Sequence, residues 1–179
     1  MNDFNIKFRI TDDFSSLDEV ELEDDCSLEG FFLIFGGGFE YGYYHDRGLR
    51  DGEVGFHSIG AWLELLLRCA EYLSVNKYVA IHDFETVGSW IELEWIDESN
   101  IRIREIFVKR RLNSYITLER SEECLIKEDN EAIINYEWIK SEIVRVSKSY
   151  AETLVVVDVK YLETKKYQSF LGLISSVEG

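Results

Sequence analysis

Residues 90–108 read WIELEWIDESNIRIREIFV, and this stretch decides the fold because it predicts a β-hairpin. Two runs rich in Ile, Trp and alternating charge flank residues 97–100, Asp-Glu-Ser-Asn, which favour a turn. In one register Glu94 faces Arg102, whereas a slip of one residue would set Glu94 against Ile103 and mix the polar and apolar faces. We therefore predict the first register, which requires an odd-numbered loop, of three residues.

Shorter apolar segments on either side predict further strands. Residues 4–10 alternate between apolar and polar, which is typical of a strand with one buried face. Residues 30–35 form a continuous apolar run before three glycines, and they predict a strand buried on both faces. Residues 78–81 and 115–118 predict two short strands. Residues 39–56 have no period, which indicates a long loop or an irregular hairpin.

Apolar residues at three- and four-residue spacing predict three helices. The first covers Ile59 to Leu73, with Ser58 as its N-cap. The second follows Asn135, a further N-cap, and is long. Residues 154–161 also alternate, so a final strand is an alternative there. Residues 167–174 predict a short terminal helix.

The order of these elements predicts the fold class. Strands that are neighbours in sequence, a hairpin, and helices grouped after strands favour an α+β fold over alternating parallel α/β. The chain has 179 residues, is 46% hydrophobic, and contains no proline- or glycine-rich linker. We therefore predict a single α+β domain, residues 1–179, with a mainly antiparallel sheet packed against two or three helices.

The charge of the chain narrows the class of partner. The formal net charge is −16 and the pI about 4.6. Such a chain is repelled by nucleic-acid phosphates and by anionic membranes, so we predict neither as a partner. The start has no signal-peptide pattern, and the apolar segment 30–39 is too short to cross a bilayer, which predicts a cytoplasmic protein with reduced cysteines.

No motif in the chain identifies a reaction. Gly36-Gly37-Gly38 lacks the flanking residues of a phosphate-binding loop, and no metal-ligand spacing occurs, so we predict no metal and no cofactor. His57, just before a helix, is predicted at the surface or in a cap. A small hydrolase using His45 or His82 with nearby carboxylates is the less favoured alternative. The chain has one basic cluster, which we assign mostly to pairing with Glu92, Glu94 and Glu105. Its members are Arg102, Arg104, Lys109, Arg110 and Arg111.

An acidic segment followed by tyrosines is the main candidate for binding. From Ile10 to Asp46 the chain has eleven carboxylates and no Lys or Arg. A charge run of this kind is commonly a solvated loop, but it can also present carboxylates to the basic site of a partner. Tyrosines among glycines supply rigid contact area on an adaptable backbone. The candidate docking residues are Asp12, Asp13, Asp18, Glu19, Glu21, Glu23, Asp24, Asp25, Tyr41, Tyr43 and Tyr44.

With these features the chain resembles the small acidic immunity proteins of bacterial polymorphic-toxin and contact-dependent inhibition systems. The resemblance rests on the acidic α+β plan, the aromatic and glycine-rich residues 31–44, the strand 90–95 and the lack of catalytic motifs. It implies a protein without catalytic activity that binds the C-terminal domain of a cognate toxin, a basic domain such as a nuclease, and neutralises it. An acidic adaptor or regulatory subunit is the alternative.

Overall fold

The computed structural model describes residues 4–11, 28–109 and 114–179. The eight candidate carboxylates between Asp12 and Asp25 lie outside these ranges, as do Arg110 and Arg111. The described residues form three helices and two antiparallel sheets. The predicted α+β fold is thereby confirmed, although the strands divide between two sheets rather than one.

The amino-terminal sheet is built around one central strand. That strand, β2 (Glu29–Gly36), pairs with β1 (Asn5–Ile10) on one edge and with β3 (Phe39–Tyr43) and then β4 (His57–Ser58) on the other, all antiparallel. Glycines 37 and 38 make the tight turn between β2 and β3, with φ of 61° and 107° that favour glycine.

The second sheet contains the predicted hairpin. Its strands are β5 Tyr78–His82, β6 Ser89–Trp95, β7 Asn100–Val108, β8 Ile116–Thr117 and β9 Cys124–Asn135, in the order β8-β5-β6-β7-β9. Glu94 pairs with Arg102 and Glu92 with Arg104, so the predicted register is confirmed. The Ile96 N–H donates to the Asn100 carbonyl at 2.9 Å, which leaves a loop of three residues as predicted.

Three α-helices cover the sheets. They are α1 Ile59–Leu73, α2 Tyr136–Val157 and α3 Lys165–Glu178, with a 3-10 helix at Val159–Glu163 between α2 and α3. Residues 154–157 and 159–161 are therefore helical, with Asp158 extended between them, and the strand alternative is wrong. The Asn135 side chain caps α2 by accepting from the Glu137 N–H at 3.1 Å. No helix in the described ranges is long and apolar enough to span a membrane.

One apolar core joins the helices to both sheets. Trp62 and Leu63 of α1 are fully buried, together with Ile34 of the amino-terminal sheet and Ile91 of the second sheet. Burying a side chain of this size contributes roughly 1.5–3 kcal/mol. The core therefore fixes the two sheets in one relative arrangement.

The two sheets meet where β3 approaches β9. The Asn130 side chain accepts from the Glu40 N–H at 2.8 Å and donates to the Glu40 carbonyl at 2.9 Å. The tight turn adds a contact, because a Cβ on Gly37 would lie 3.0 Å from the Ala132 Cβ. The Tyr41 hydroxyl lies 3.0 Å from Ser89 Oγ, and Glu105 accepts from Ser89 at 3.2 Å and from Asn130 at 3.0 Å. We call these contacts, with those of Glu40, the sheet junction.

The predicted ion pairs form on the face of the second sheet that points away from the main apolar core. Glu92, fully buried, binds Arg104 across the hairpin and also accepts from Arg120 at 3.1 Å. Arg102 lies 3.5 Å from Glu94. Pairing of these arginines with Glu92 and Glu94 is confirmed. The pattern did not indicate Arg120, because that residue lies 28 positions away from Glu92 in the chain.

Candidate functional site

A long excursion interrupts one edge of the amino-terminal sheet. Strands β3 and β4 pair with the same edge of β2, where Tyr43 faces Phe32 and His57 faces Gly30. Two steps along a strand span about 7 Å, yet residues 44–56 lie between these two points. A compact loop with neighbouring ends is an Ω-loop, and such loops are frequently functional. We call residues 44–56 the Ω-loop.

The carboxylate of Glu53 organises the Ω-loop. The Arg47 guanidinium donates to both of its oxygens, at 2.6 and 2.7 Å, and the Arg50 N–H donates at 3.0 Å. The Nε2 atom of His45 lies 3.2 Å from Oε1. The hydrogen bonds from Arg47, followed by the one from Arg50, lower the pKa of Glu53 to about 2. Glu53 therefore stays ionised and holds three parts of the loop together.

Further contacts hold the Ω-loop on the outer face of the amino-terminal sheet. The Arg9 side chain donates to the carbonyls of Arg47 and His45, at 2.6 and 3.3 Å. The imidazole of His45 packs on the ring of Phe31, with 4.4 Å between centroids. At the far end the Gly55 N–H donates to Thr11 Oγ1 at 2.8 Å. The loop is therefore ordered before any partner binds.

The ordered loop presents apolar side chains to solvent. Val54 is 65% exposed and Phe56 61%, and Leu49 is 39% exposed. Asp46 and Asp51 are also exposed, and no cation in the described part of the chain pairs with them. A rigid apolar surface with acidic neighbours suits contact with an apolar patch surrounded by basic residues.

The three predicted tyrosines occupy different environments. Tyr43 is 48% exposed and lies edge-on to Phe31, beside the Ω-loop. Tyr44 is half-buried under the ammonium of Lys7, which is 5.6 Å from its ring centroid. Tyr41 is buried and donates to Asp83 at 2.5 Å. Burial, followed by the hydrogen bond to Asp83, raises the pKa of Tyr41 far above its ordinary value.

A glycine separates the two faces on which these tyrosines lie. Residues two apart in a regular strand share a face, but Gly42 has a φ of 95°. As a result Tyr43 packs on Phe31, whereas Tyr41 packs on Trp62 in the core. Tyr41 is buried in the sheet junction, away from the two tyrosines beside the Ω-loop. The glycine between the two tyrosines was the signal that could have indicated this.

The acidic residues 12–27 connect to the same corner of the molecule. Thr11 and Leu28 are the described residues on either side of that segment. The Thr11 N–H donates to the Glu29 carbonyl at 3.0 Å, and Thr11 Oγ1 holds Gly55 of the Ω-loop. The chain therefore enters the acidic segment directly beside the carboxyl end of the Ω-loop.

His57, which follows the Ω-loop, is buried, so the surface position, one of the two predicted for it, is wrong. Its Nδ1 lies 2.5 Å from Glu85 Oε2. Glu85 also accepts from the Ser58 N–H at 2.8 Å and from the Trp62 indole at 3.2 Å. Ser58 is at the N-cap of α1 as predicted, but its side chain makes no capping bond, and Glu85 satisfies that end of the helix instead.

The other two histidines also have defined neighbours. His45 faces Glu53, and His82 packs on Trp90 with ring centroids 4.7 Å apart. Asp83, which the sequence places beside His82, instead binds Tyr41. Within residues 4–11, 28–109 and 114–179, no three His, Cys, Asp or Glu side chains are grouped to hold a metal ion.

Comparison of the chain with models of protein families, with curated proteins and with solved structures found no match. The geometry of the Ω-loop and the charge of the chain are therefore the observations from which a function can be inferred.

Proposed function

We propose that the protein binds a basic partner protein through the Ω-loop and neutralises it without catalysis, as an immunity protein neutralises its cognate toxin domain. The observation that carries the proposal is an ordered loop, held by Glu53, that exposes Val54 and Phe56. Tyr43 and Tyr44 flank this surface, and the acidic segment enters beside it.

The order of the Ω-loop favours tight binding. Immobilising a flexible side chain on binding costs about 0.5–1.5 kcal/mol, and ordering backbone costs more. Here Arg9, Arg47 and Glu53 hold the loop before a partner arrives. Apolar and aromatic side chains on such a surface can fill pockets of a partner and supply most of the binding energy.

The charge of the chain supports a basic partner. Residues 12–27 carry eight carboxylates and no Lys or Arg, which equals half of the formal net charge of −16. Opposite charge on a partner raises the association rate and orients the encounter. Basic domains that bind nucleic acid, such as nucleases, are the toxin class that best fits this charge.

The direct test is co-expression with the C-terminal domain of a toxin encoded beside this gene. We expect the protein to restore growth and to co-purify with the domain as a complex. Co-purification without restored growth would indicate an adaptor instead. Failure of both, with a folded protein and an expressed toxin domain, would contradict the proposal.

The role of the acidic segment has its own test. Reversing Asp18, Glu19, Glu21 and Glu23 to Lys should slow association at least about tenfold at low salt and flatten its salt dependence. A control with the same change in net charge reverses four exposed carboxylates elsewhere: Glu71, Glu98, Glu152 and Glu163. Equal effects of the two variants would mean that only overall charge matters.

A further inference from the structure

Strand β9 leaves part of the second sheet open at its edge. Within the described residues no strand pairs with its outer edge. Its carboxyl half is covered by the sheet junction at Asn130 and by the turn at Gly37, which lies on Ala132. Residues 124–127, Cys-Leu-Ile-Lys, at the amino end of β9 are exposed or half-exposed, as is Glu123 in the turn directly before the strand. An open edge of this kind can template pairing with another chain.

Apolar side chains lie on both faces of this open edge. Leu125 is 56% exposed on one face, opposite Phe107 of β7, which is 44% exposed. Ile126 is 44% exposed on the other face. Single exposed apolar residues are ordinary on surfaces, but a cluster on an unpaired strand marks an interaction site.

The five residues are complementary to themselves when two copies run antiparallel. With a two-fold axis at Leu125, Glu123 of each copy faces Lys127 of the other, and Cys124 faces Ile126. The two leucines then meet at the axis. We propose that a second copy of this chain pairs along residues 123–127, joining the two five-stranded sheets into one continuous sheet.

Neighbouring residues limit the pairing to this window. The next pair outward would set Glu122 against Glu128, two residues of like charge in the sequence. On the inner side the regular register of β9 against β7 ends at Ile126, and Lys127 is the first residue of the irregularity between Arg104 and Ile106. Lys127 therefore closes the window through its side chain, and the irregular backbone beyond it ends regular pairing. Lys127 lies 2.7 Å from Glu105 within its own chain, and its ammonium has further protons for Glu123 of the second copy.

The dimer is therefore weak and concentration-dependent. Five paired residues bury less than the roughly 1,200 Å² of a standard interface, and two chains of net charge −16 repel each other. We expect a dissociation constant on the order of 10–100 µM at physiological salt.

Sedimentation velocity of the full chain tests the proposal, at concentrations from about 10 to about 500 µM. Glu123→Lys and Lys127→Glu should each weaken self-association at least about tenfold. Mixing the two variants should restore it as a heterodimer, because position 123 of each copy then again faces an opposite charge at position 127 of the other. Glu98→Lys and Lys165→Glu, at exposed positions elsewhere, are the matched controls and should associate as the unchanged chain does.

Three results would overturn the proposal: a monomer at the highest concentration, unchanged association of both variants, or no recovery on mixing. Amide exchange of the unchanged protein gives a second readout that needs no variant. Residues 123–127 should exchange more slowly at high concentration than at low concentration. Exchange that is independent of concentration would contradict pairing at this edge.

Discussion

Glu85 joins two parts of the molecule through one carboxylate. It accepts from His57, Ser58 and Trp62, and so ties the amino end of α1 to the connection between β5 and β6. Burial raises the pKa of Glu85, but these hydrogen bonds lower it more, so it lies below the ordinary value of 4.5. Its contribution to stability is therefore fully present above pH 4.5 and is lost as the pH falls through the lower folded pKa.

We expect Glu85→Gln to lower the free energy of unfolding by about 2 kcal/mol at pH 7, because hydrogen bonds to a charged group are replaced. The difference from the unchanged protein should shrink as the pH falls below 4.5. Urea unfolding of both proteins, at pH 7 and at a pH below 4.5, measures this difference. Glu64→Gln, which removes an exposed helix pair with Arg68, is the control and should cost about 0.5 kcal/mol or less. Equal effects of the two substitutions would contradict this role of Glu85.

Ser147 differs from Glu85 because its buried polar group has no hydrogen-bond partner among the described residues. It lies in α2 with no exposed surface. We expect Ser147→Ala to stabilise the protein by about 1 kcal/mol, since it removes this hydroxyl and improves helix propensity. The urea midpoint should rise. Ser141→Ala, at an exposed serine of the same helix, should change stability by less than about 0.5 kcal/mol, and a destabilised Ser147 variant would contradict the prediction.

At the scale of elements, the Ω-loop is held by the ionised carboxylate of Glu53. The pKa of Glu53 is about 2, below its ordinary 4.5, so its hold on the loop is complete above pH 4.5 and is lost as the pH falls through about 2. The carboxyl resonance of Glu53 in NMR should therefore stay constant from pH 7 to pH 4.5. In Arg47→Ala the pKa should move back toward 4.5, because the first cause of the shift is removed. Titration of Glu53 near pH 4.5 in the unchanged protein would contradict the arrangement.

Local sequence patterns predicted the helices and strands. How these elements contact one another depends on residues far apart in the sequence, which the patterns did not predict. The hairpin register follows from alternating charges that lie within 19 residues of sequence, and the caps at Ser58 and Asn135 follow from neighbouring residues. The junction between the two sheets depends on Asn130 reaching Glu40, 90 positions away. Glu85 reaches Ser58 across 27 positions. Sequence spacing carries no signal for such contacts.

For the candidate site, too, the sequence indicated local composition but not the contacts that hold the Ω-loop. Composition drew attention to the tyrosines and glycines after Gly38, of which Tyr43 and Tyr44 lie beside the Ω-loop. The hydrophobic loop residues Val54 and Phe56 were not among the predicted docking residues. Their exposure depends on Arg47 and Glu53 holding the loop, which composition does not indicate.

At the scale of the whole molecule, the net charge and the exposed apolar side chains of the Ω-loop have different expected roles in binding. Over the entire chain the acidic residues outnumber the basic ones by 16, and half of this excess comes from the segment that enters beside the Ω-loop. In the proposed complex, charge draws the basic partner in and the apolar loop holds it. Association rate and complex lifetime should therefore respond to different substitutions.

The affinity for the toxin domain, measured by calorimetry, tests the docking role of the Ω-loop most directly. The double substitution Val54→Ala with Phe56→Ala should weaken binding at least about a hundredfold, since two apolar contacts are lost. The matched double substitution Val156→Ala with Leu162→Ala, exposed on the carboxyl-terminal helices, should leave it unchanged. An affinity that is the same for both double variants and for the unchanged protein would show that the Ω-loop is not the docking surface.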